Sequence, residues 1–132
     1  MRNIVNNYGF TAGKIWKTLS TNGPLDEENL IKKNRLNKNE FYAGVGWLAR
    51  ENKIYKNGNI YELRETNLTQ RIGGTAGKVW NTLSTTQNIN VSSIAKISEI
   101  TLKDAYSALG WLAREDKIKT NWDNKQIKFE LK

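Results

Sequence analysis

The side chains that most often carry chemistry are missing from this chain. Its 132 residues include no histidine and no cysteine. That excludes the commonest general base, the commonest metal ligand and every thiolate nucleophile, along with disulfides and Cys-based zinc sites. Carboxylates, lysines and hydroxyls remain, and no motif among them suggests the convergent polar pocket that an enzyme needs. Neither catalysis nor a cofactor is expected. Residues 9–14 and 73–78 each gather glycines and a lysine in the manner of a phosphate-binding loop. The spacing is one residue short, no Ser or Thr follows the lysine, and no strand precedes the stretch, so that reading fails. What is left is recognition of anions. Twenty-one Lys and Arg face 13 Asp and Glu, for a net charge of +8. The pI near 9.7 is the electrostatic footprint of a nucleic-acid-binding protein, although charge alone also fits a merely basic soluble protein.

The candidates for contact with double-stranded DNA fall into three groups. Lys38, Asn39 and Tyr42, with Lys103, Tyr106 and Ser107, stand near the starts of two related segments, where Lys and Asn can read guanine and adenine edges. No arginine, the commonest base reader, stands among them. Lys53, Lys56 and Asn57, with Lys117, Lys119, Lys125 and Lys128, lie in alternating, hairpin-like stretches and suit phosphates. Thr11 and Lys14, with Thr75 and Lys78, stand where helices are expected to begin, so free backbone N–H groups and a lysine would meet a phosphate there. Any single lysine is better explained by solubility; the wing lysines acting together are less easily explained so.

These residues are positioned by an internal repeat. Thr11-Ala12-Gly13-Lys14-Ile15-Trp16 recurs as Thr75-Ala76-Gly77-Lys78-Val79-Trp80, and Gly46-Trp47-Leu48-Ala49-Arg50-Glu51 recurs unchanged as Gly110-Trp111-Leu112-Ala113-Arg114-Glu115, both at an offset of 64. Within each copy the spacing predicts helix 1 from the N-cap Thr11 (or Thr75), with Ala12, Ile15, Trp16 and Leu19 at helical spacing. A short strand follows, then helix 2 capped by Asp26 (or Asn90). Helix 3 is capped by Asn37 (or Thr101), and a β-hairpin closes the unit. The first hairpin turns at Asn57-Gly58-Asn59 and the second at Asp123-Asn124. This order is that of a winged helix-turn-helix. The fold class expected is α+β, mainly α: two tandem winged helix-turn-helix domains, residues 1–66 and 67–132, each of three helices plus a wing. Each half carries a net charge of +4. No apolar run approaches the length needed to span a bilayer, and no signal-peptide core opens the chain, so a cytoplasmic protein without membrane contact is expected.

The Ala-Gly-Lys-Val/Ile-Trp stretch of helix 1 and the Gly-Trp-Leu-Ala-Arg-Glu-x-Lys-Ile stretch of helix 3 resemble those of a small bacterial and archaeal winged helix-turn-helix family of unknown function. The resemblance covers nearly the whole chain. It implies single copies that tend to pair, so this fusion looks like a covalent pseudo-dimer, and it implies DNA binding and a role in transcription regulation by analogy of fold. The alternative is a winged helix that binds a protein partner and no DNA.

One stripe on helix 3 fits none of the usual roles. Tyr42, Gly46 and Ala49 lie at i, i+4 and i+7, repeated by Tyr106, Gly110 and Ala113, where a free-standing domain would show Lys or Glu. Glycine inside a helix costs about 1 kcal/mol relative to alanine, and close approach of another backbone is one reason to accept it. Contact between copies, packing on the copy's own helix 1 and approach to DNA are all open readings. Trp47 and Trp111 border the stripe and fit a core or an inter-copy interface. Trp122, in the second wing alone, is the candidate exposed aromatic. The linker near residues 66–70 is short, so the copies should touch.

Overall fold

The computed structural model describes residues 3–132. The first copy consists of α1 (Ile4–Asn22), β1 (Leu25–Asp26), α2 (Glu27–Asn34), α3 (Lys38–Arg50), β2 (Ile54–Asn57) and β3 (Ile60–Leu63). The second consists of α4 (Gly74–Thr85), α5 (Val91–Ser98), α6 (Leu102–Arg114), β4 (Ile118–Asp123) and β5 (Gln126–Leu131). The caps act as their residue types suggest. The Asp26 carboxylate accepts from the Asn29 amide at 2.8 Å, and Asn37 and Glu40 close a reciprocal capping box at the start of α3. The Asn90 and Thr101 side chains accept from the Ser93 and Asp104 amides. The strands of the first copy pair antiparallel in the order β1-β3-β2. In the second, β4 and β5 form a longer ribbon and the third strand shrinks to an Ile89–Phe129 bridge. That ribbon turns on Asn124 and Lys125, both at positive φ, which is the twist a two-residue hairpin needs. The turn therefore falls one residue beyond the expected position, and Lys125 sits at its tip. No helix of the described residues is long and apolar enough to cross a membrane.

Helix 1 begins earlier than its sequence suggested. Asn3, not Thr11, caps it, accepting from the Val5 and Asn6 amides. The physical reason is that Ile4, Tyr8, Thr11, Ile15 and Leu19 continue one stripe at helical spacing, and nothing within residues 4–10 breaks it. In the second copy the corresponding residues form a wider π-helical turn, Thr69–Gly73, that runs straight into α4. The Thr75 hydroxyl there donates to the Arg71 carbonyl at 2.7 Å.

These two extensions exchange places. Leu68 and Ile72, at the start of the second copy, are buried with Ile15, Leu30, Phe41 and Tyr61 in the first copy's core. Tyr8, at the start of the first copy, is buried with Ala76, Leu109, Ile118 and Phe129 in the second copy's core. Neither repeat unit closes its own core. The linker between them is pinned: the Asn67 side chain pairs with both the N–H and the C=O of Lys56, at 3.0 and 2.7 Å, and Asn52 accepts from the Thr66 amide.

Between the two cores α3 and α6 cross at close range. A Cβ placed on Gly46 would overlap the Ser107 carbonyl, and one placed on Gly110 would overlap the Ala43 carbonyl. The two contacts are the same contact seen from either copy, as an isologous interface requires. Gly44, two residues from Gly46, faces the other way, against Ile15, Thr11 and Ala12 of its own α1. Gly46→Ala, or Gly110→Ala, should force the helices apart and lower unfolding free energy by about 2 kcal/mol or more. Gly13→Ala, at a helix position where a Cβ meets nothing within 4 Å, should instead raise it by up to about 1 kcal/mol. Tyr8→Ala should cost about 3–5 kcal/mol. In hydrogen exchange that loss should be read mainly in residues of the second copy, although the substitution lies in the first.

Candidate nucleic-acid interface

The crossing decides what the third helices can offer. Ser107, expected to face DNA, is buried against Gly46, and this is corrected: its main chain is the surface on which α3 rests. Lys38 and Asn39 stay exposed in the first turn of α3. Tyr42 is half-buried and donates its hydroxyl to a Glu27 carboxylate oxygen at 3.1 Å. Burial, and then Glu27, raise its pKa above that of a free tyrosine. Tyr106 is half-buried too, and burial raises its pKa. Thr11, Lys14, Thr75 and Lys78 lie inside helices and not at their starts. The free backbone N–H groups expected beside them do not exist, and Thr11 is buried.

Of the wing lysines, several are paired. Lys53 lies 3.6 Å from Glu51, Lys117 3.3 Å from Glu115, Lys119 3.5 Å from Glu130 and Lys128 2.9 Å from Asp123. Asn57 and Lys125 are exposed at the two hairpin ends, and Trp122 is 45% exposed. Lys56 differs. It leans over a cleft of about 310 Å³ between the first wing and the start of α6, lined also by Tyr42, Tyr61, Arg71, Lys103 and Asp104. Its ammonium lies 5.8 Å from the Tyr61 ring, and that of Lys103 lies 5.2 Å from the Tyr42 ring of the other copy. Arg71 approaches Asp104 at 3.4 Å. Burial, and then the neighbouring Lys103, hold the Lys56 pKa below that of an ordinary lysine, with Arg71 acting in the same direction against Glu27. Positive charge is thus concentrated here beyond what the local carboxylates neutralise.

Arg71 escaped the sequence reading because it sits between the linker at residues 66–70 and the expected helix start at Thr75. The only signal would have been its equivalence to a position ahead of helix 1. The symmetry-related cleft, of about 260 Å³, is lined by Asn7, Asn39, Glu40, Tyr106, Ile127 and Phe129. The counterparts of Arg71 and Lys103 are there Asn7 and Asn39. By register the counterpart of Lys56 is Thr120, since Lys56 pairs with Tyr61 as Thr120 pairs with Phe129. One cleft is cationic and its twin carries none of the three cations.

The block that is identical in the two copies builds the interface between them. Beyond the two glycines, Arg50 reaches Glu115 at 2.9 Å and Arg114 reaches Glu51 at 2.8 Å. The Arg50 guanidinium also lies 5.8 Å from the Trp111 ring. Trp47 and Trp111 each border both cores. Ala49 and Ala113 are buried, each in the core of its own copy. Trp16 and Trp80, read from their spacing as part of the buried face of helix 1, are instead 45% and 41% exposed. They follow Ile15 and Val79 by one residue, a 100° step, and the core takes only the first of each pair.

A family described as winged helix-turn-helix domain (DUF2582) matches the chain twice, over residues 3–67 and 65–131. The uncharacterized protein MJ1608 of Methanocaldococcus jannaschii is 38% identical over 68 residues, which make up 47% of this chain and 91% of that protein. Among solved structures, the solution NMR structure of BT2368 from Bacteroides thetaiotaomicron is 30% identical. It covers 48% of this chain and 77% of its own, with a TM-score of 0.45.

The cationic cleft has a titration signature. By NMR the Lys56 side chain should lose its proton at a lower pH than a free lysine. Lys103→Ala should move that titration partway back up, because it removes the repulsion and leaves the burial. An unchanged Lys56 titration in that variant would separate the two residues.

Proposed function

This chain belongs to the winged helix-turn-helix family described as DUF2582 and carries the domain twice; from that premise we propose that it binds double-stranded DNA as a covalent pseudo-dimer. The observation that carries the reading is the convergence of Lys56 from one copy with Arg71 and Lys103 from the other on a single concave surface. Cations gathered at the expense of a lysine's own proton affinity are stabilised by a polyanion, and phosphates spaced along a duplex supply one. The activity is binding and not catalysis, and on this reading the protein acts in the cytoplasm as a regulator of transcription.

The geometry also limits the kind of binding. The middle of each third helix, which in a free winged helix would enter the major groove, is spent on the other copy. Only Lys38, Asn39 and Lys103, at the first turns, remain to approach base edges. Phosphate contacts therefore dominate and sequence preference is weak. Because only one cleft is cationic, the duplex is held asymmetrically despite the near-twofold fold.

Duplex affinity should fall steeply with salt. Replacing Lys56, Arg71 and Lys103 together by alanine should flatten the dependence of log K on log salt by about 2–3, one neutralised phosphate for each cation removed. Asn7→Ala with Asn39→Ala, in the twin cleft, should change it little. A triple variant with the wild-type slope would end the proposal.

A further inference from the structure

The interface accounts for the second repeated block but not for the first. Gly13, Lys14 and Trp16, with Gly77, Lys78 and Trp80, are the same in both copies, yet all six are exposed. None is claimed by the core or by the inter-copy contact. The glycine and the tryptophan of each set line a groove. In the first copy it runs between Trp16 and Trp47 over Gly9, Ala12 and Gly13, with Glu51 and Lys53 at the rim, and encloses about 350 Å³. Its counterpart, of about 380 Å³, is built by the corresponding residues of the second copy, Trp80 and Trp111 over Gly73, Ala76 and Gly77, with Glu115 and Lys117. Gly9 and Gly73 are explained by packing, since a Cβ there would lie 3.0 and 3.2 Å from the ring of Trp47 or Trp111. Gly13 and Gly77 are not, since a Cβ there meets nothing within 4 Å. A helix-weakening residue thus stands twice in the groove lining with no packing contact to require it.

From this we propose that each groove takes an unpaired nucleobase of a single-stranded nucleic acid, stacked on the exposed indole of Trp16 or Trp80. The charge around the grooves fits that occupant. The rim carboxylates are already held, Glu51 by Arg114 and Lys53, and Glu115 by Arg50 and Lys117. Lys14, Lys17 and Lys78 make no ion pair among the described residues. Lys14 and Lys78 adjoin the groove glycines along the helix and Lys17 adjoins Trp16, so aromatic faces stand beside unpaired cations, the combination that holds a base and its phosphates. An extended peptide brings main-chain groups that need partners, and the floor is helix backbone whose own groups are bonded within the helix. Stacking asks for no such partner. The near-twofold relation presents the grooves to a strand in opposite directions, so each groove takes its own strand. The site is separate from the cationic cleft and uses none of Lys56, Arg71 or Lys103.

The test follows tryptophan emission of the full chain during titration, at low salt, with an oligothymidylate octamer and with an abasic octamer of equal length. The thymidylate strand should quench the emission and saturate at two strands per chain. The abasic strand should not quench and should bind at least about tenfold more weakly. Gly13→Leu with Gly77→Leu, which fills both grooves at positions with room for a Cβ, should weaken thymidylate binding at least about tenfold. The same variant should leave duplex binding and its salt slope in place. Alanine at Lys56, Arg71 and Lys103 should do the reverse, so the two sites fail separately. Equal affinity for the abasic strand, or unchanged affinity in the leucine variant, would overturn the proposal. So would quenching by an acidic, tyrosine-containing octapeptide with none by the oligonucleotides, which would assign the grooves to a protein partner.

Discussion

Two helices packed without side chains between them fix most of this molecule. At Gly46 and Gly110 the backbone of one third helix lies directly on the backbone of the other. No other residue type fits, because the first carbon of any side chain would occupy the space of a carbonyl oxygen. That contact sets Trp47 and Trp111 across both cores and brings Arg50 to Glu115 and Arg114 to Glu51. These ion pairs are partly exposed and add little energy by themselves. Their part is to fix the angle and register of a crossing that van der Waals contact holds.

The same contact redirects the function that the fold suggests. A winged helix presents its third helix to DNA, and here the middle of that surface is closed. What stays open is peripheral: the first turns of α3 and α6, the hairpin ends, and the composite clefts where one copy's wing meets the other copy's helix. None of these composite surfaces exists in a single repeat unit. Fusion adds a further freedom. Two identical chains pairing about a twofold axis must carry the same cleft twice, whereas a fused pair can differ from one side to the other. Lys56, Arg71 and Lys103 stand on one side, and Thr120, Asn7 and Asn39 occupy the other.

Much of this was legible in the sequence for local reasons. Asp26, Asn37 and Thr101 announce helix starts because a short polar side chain can reach the third amide ahead, and the structure shows each doing so. The glycine of the helix 3 stripe was legible as an anomaly, and the other copy's helix 3 was one of the partners its spacing allowed. The failures share a cause. Thr11 resembles a cap in isolation, but Ile4 and Tyr8 extend the apolar stripe toward a core that belongs to the other copy. Ser107 resembles a surface hydroxyl until the opposing glycine is in place. Arg71 acquires its neighbours only when the second copy's first turn lies against the first copy's wing. Local chemistry and the expectation that the copies touch were readable in the sequence, and the side chains that each copy lends to the other's core and cleft were not.

The exchanged extensions also set an order in time. A chain growing from its N-terminus reaches residue 66 with its first core still open, because Leu68 and Ile72 have yet to follow. Tyr8 of the first copy waits for Ile118 and Phe129, which follow in the second. The nascent first half therefore has no finished state of its own to settle into, and both halves close together once the second copy has been made. Two units that resemble each other this closely could mispair with copies on neighbouring chains. The attached half wins because the short linker holds it at a high effective concentration.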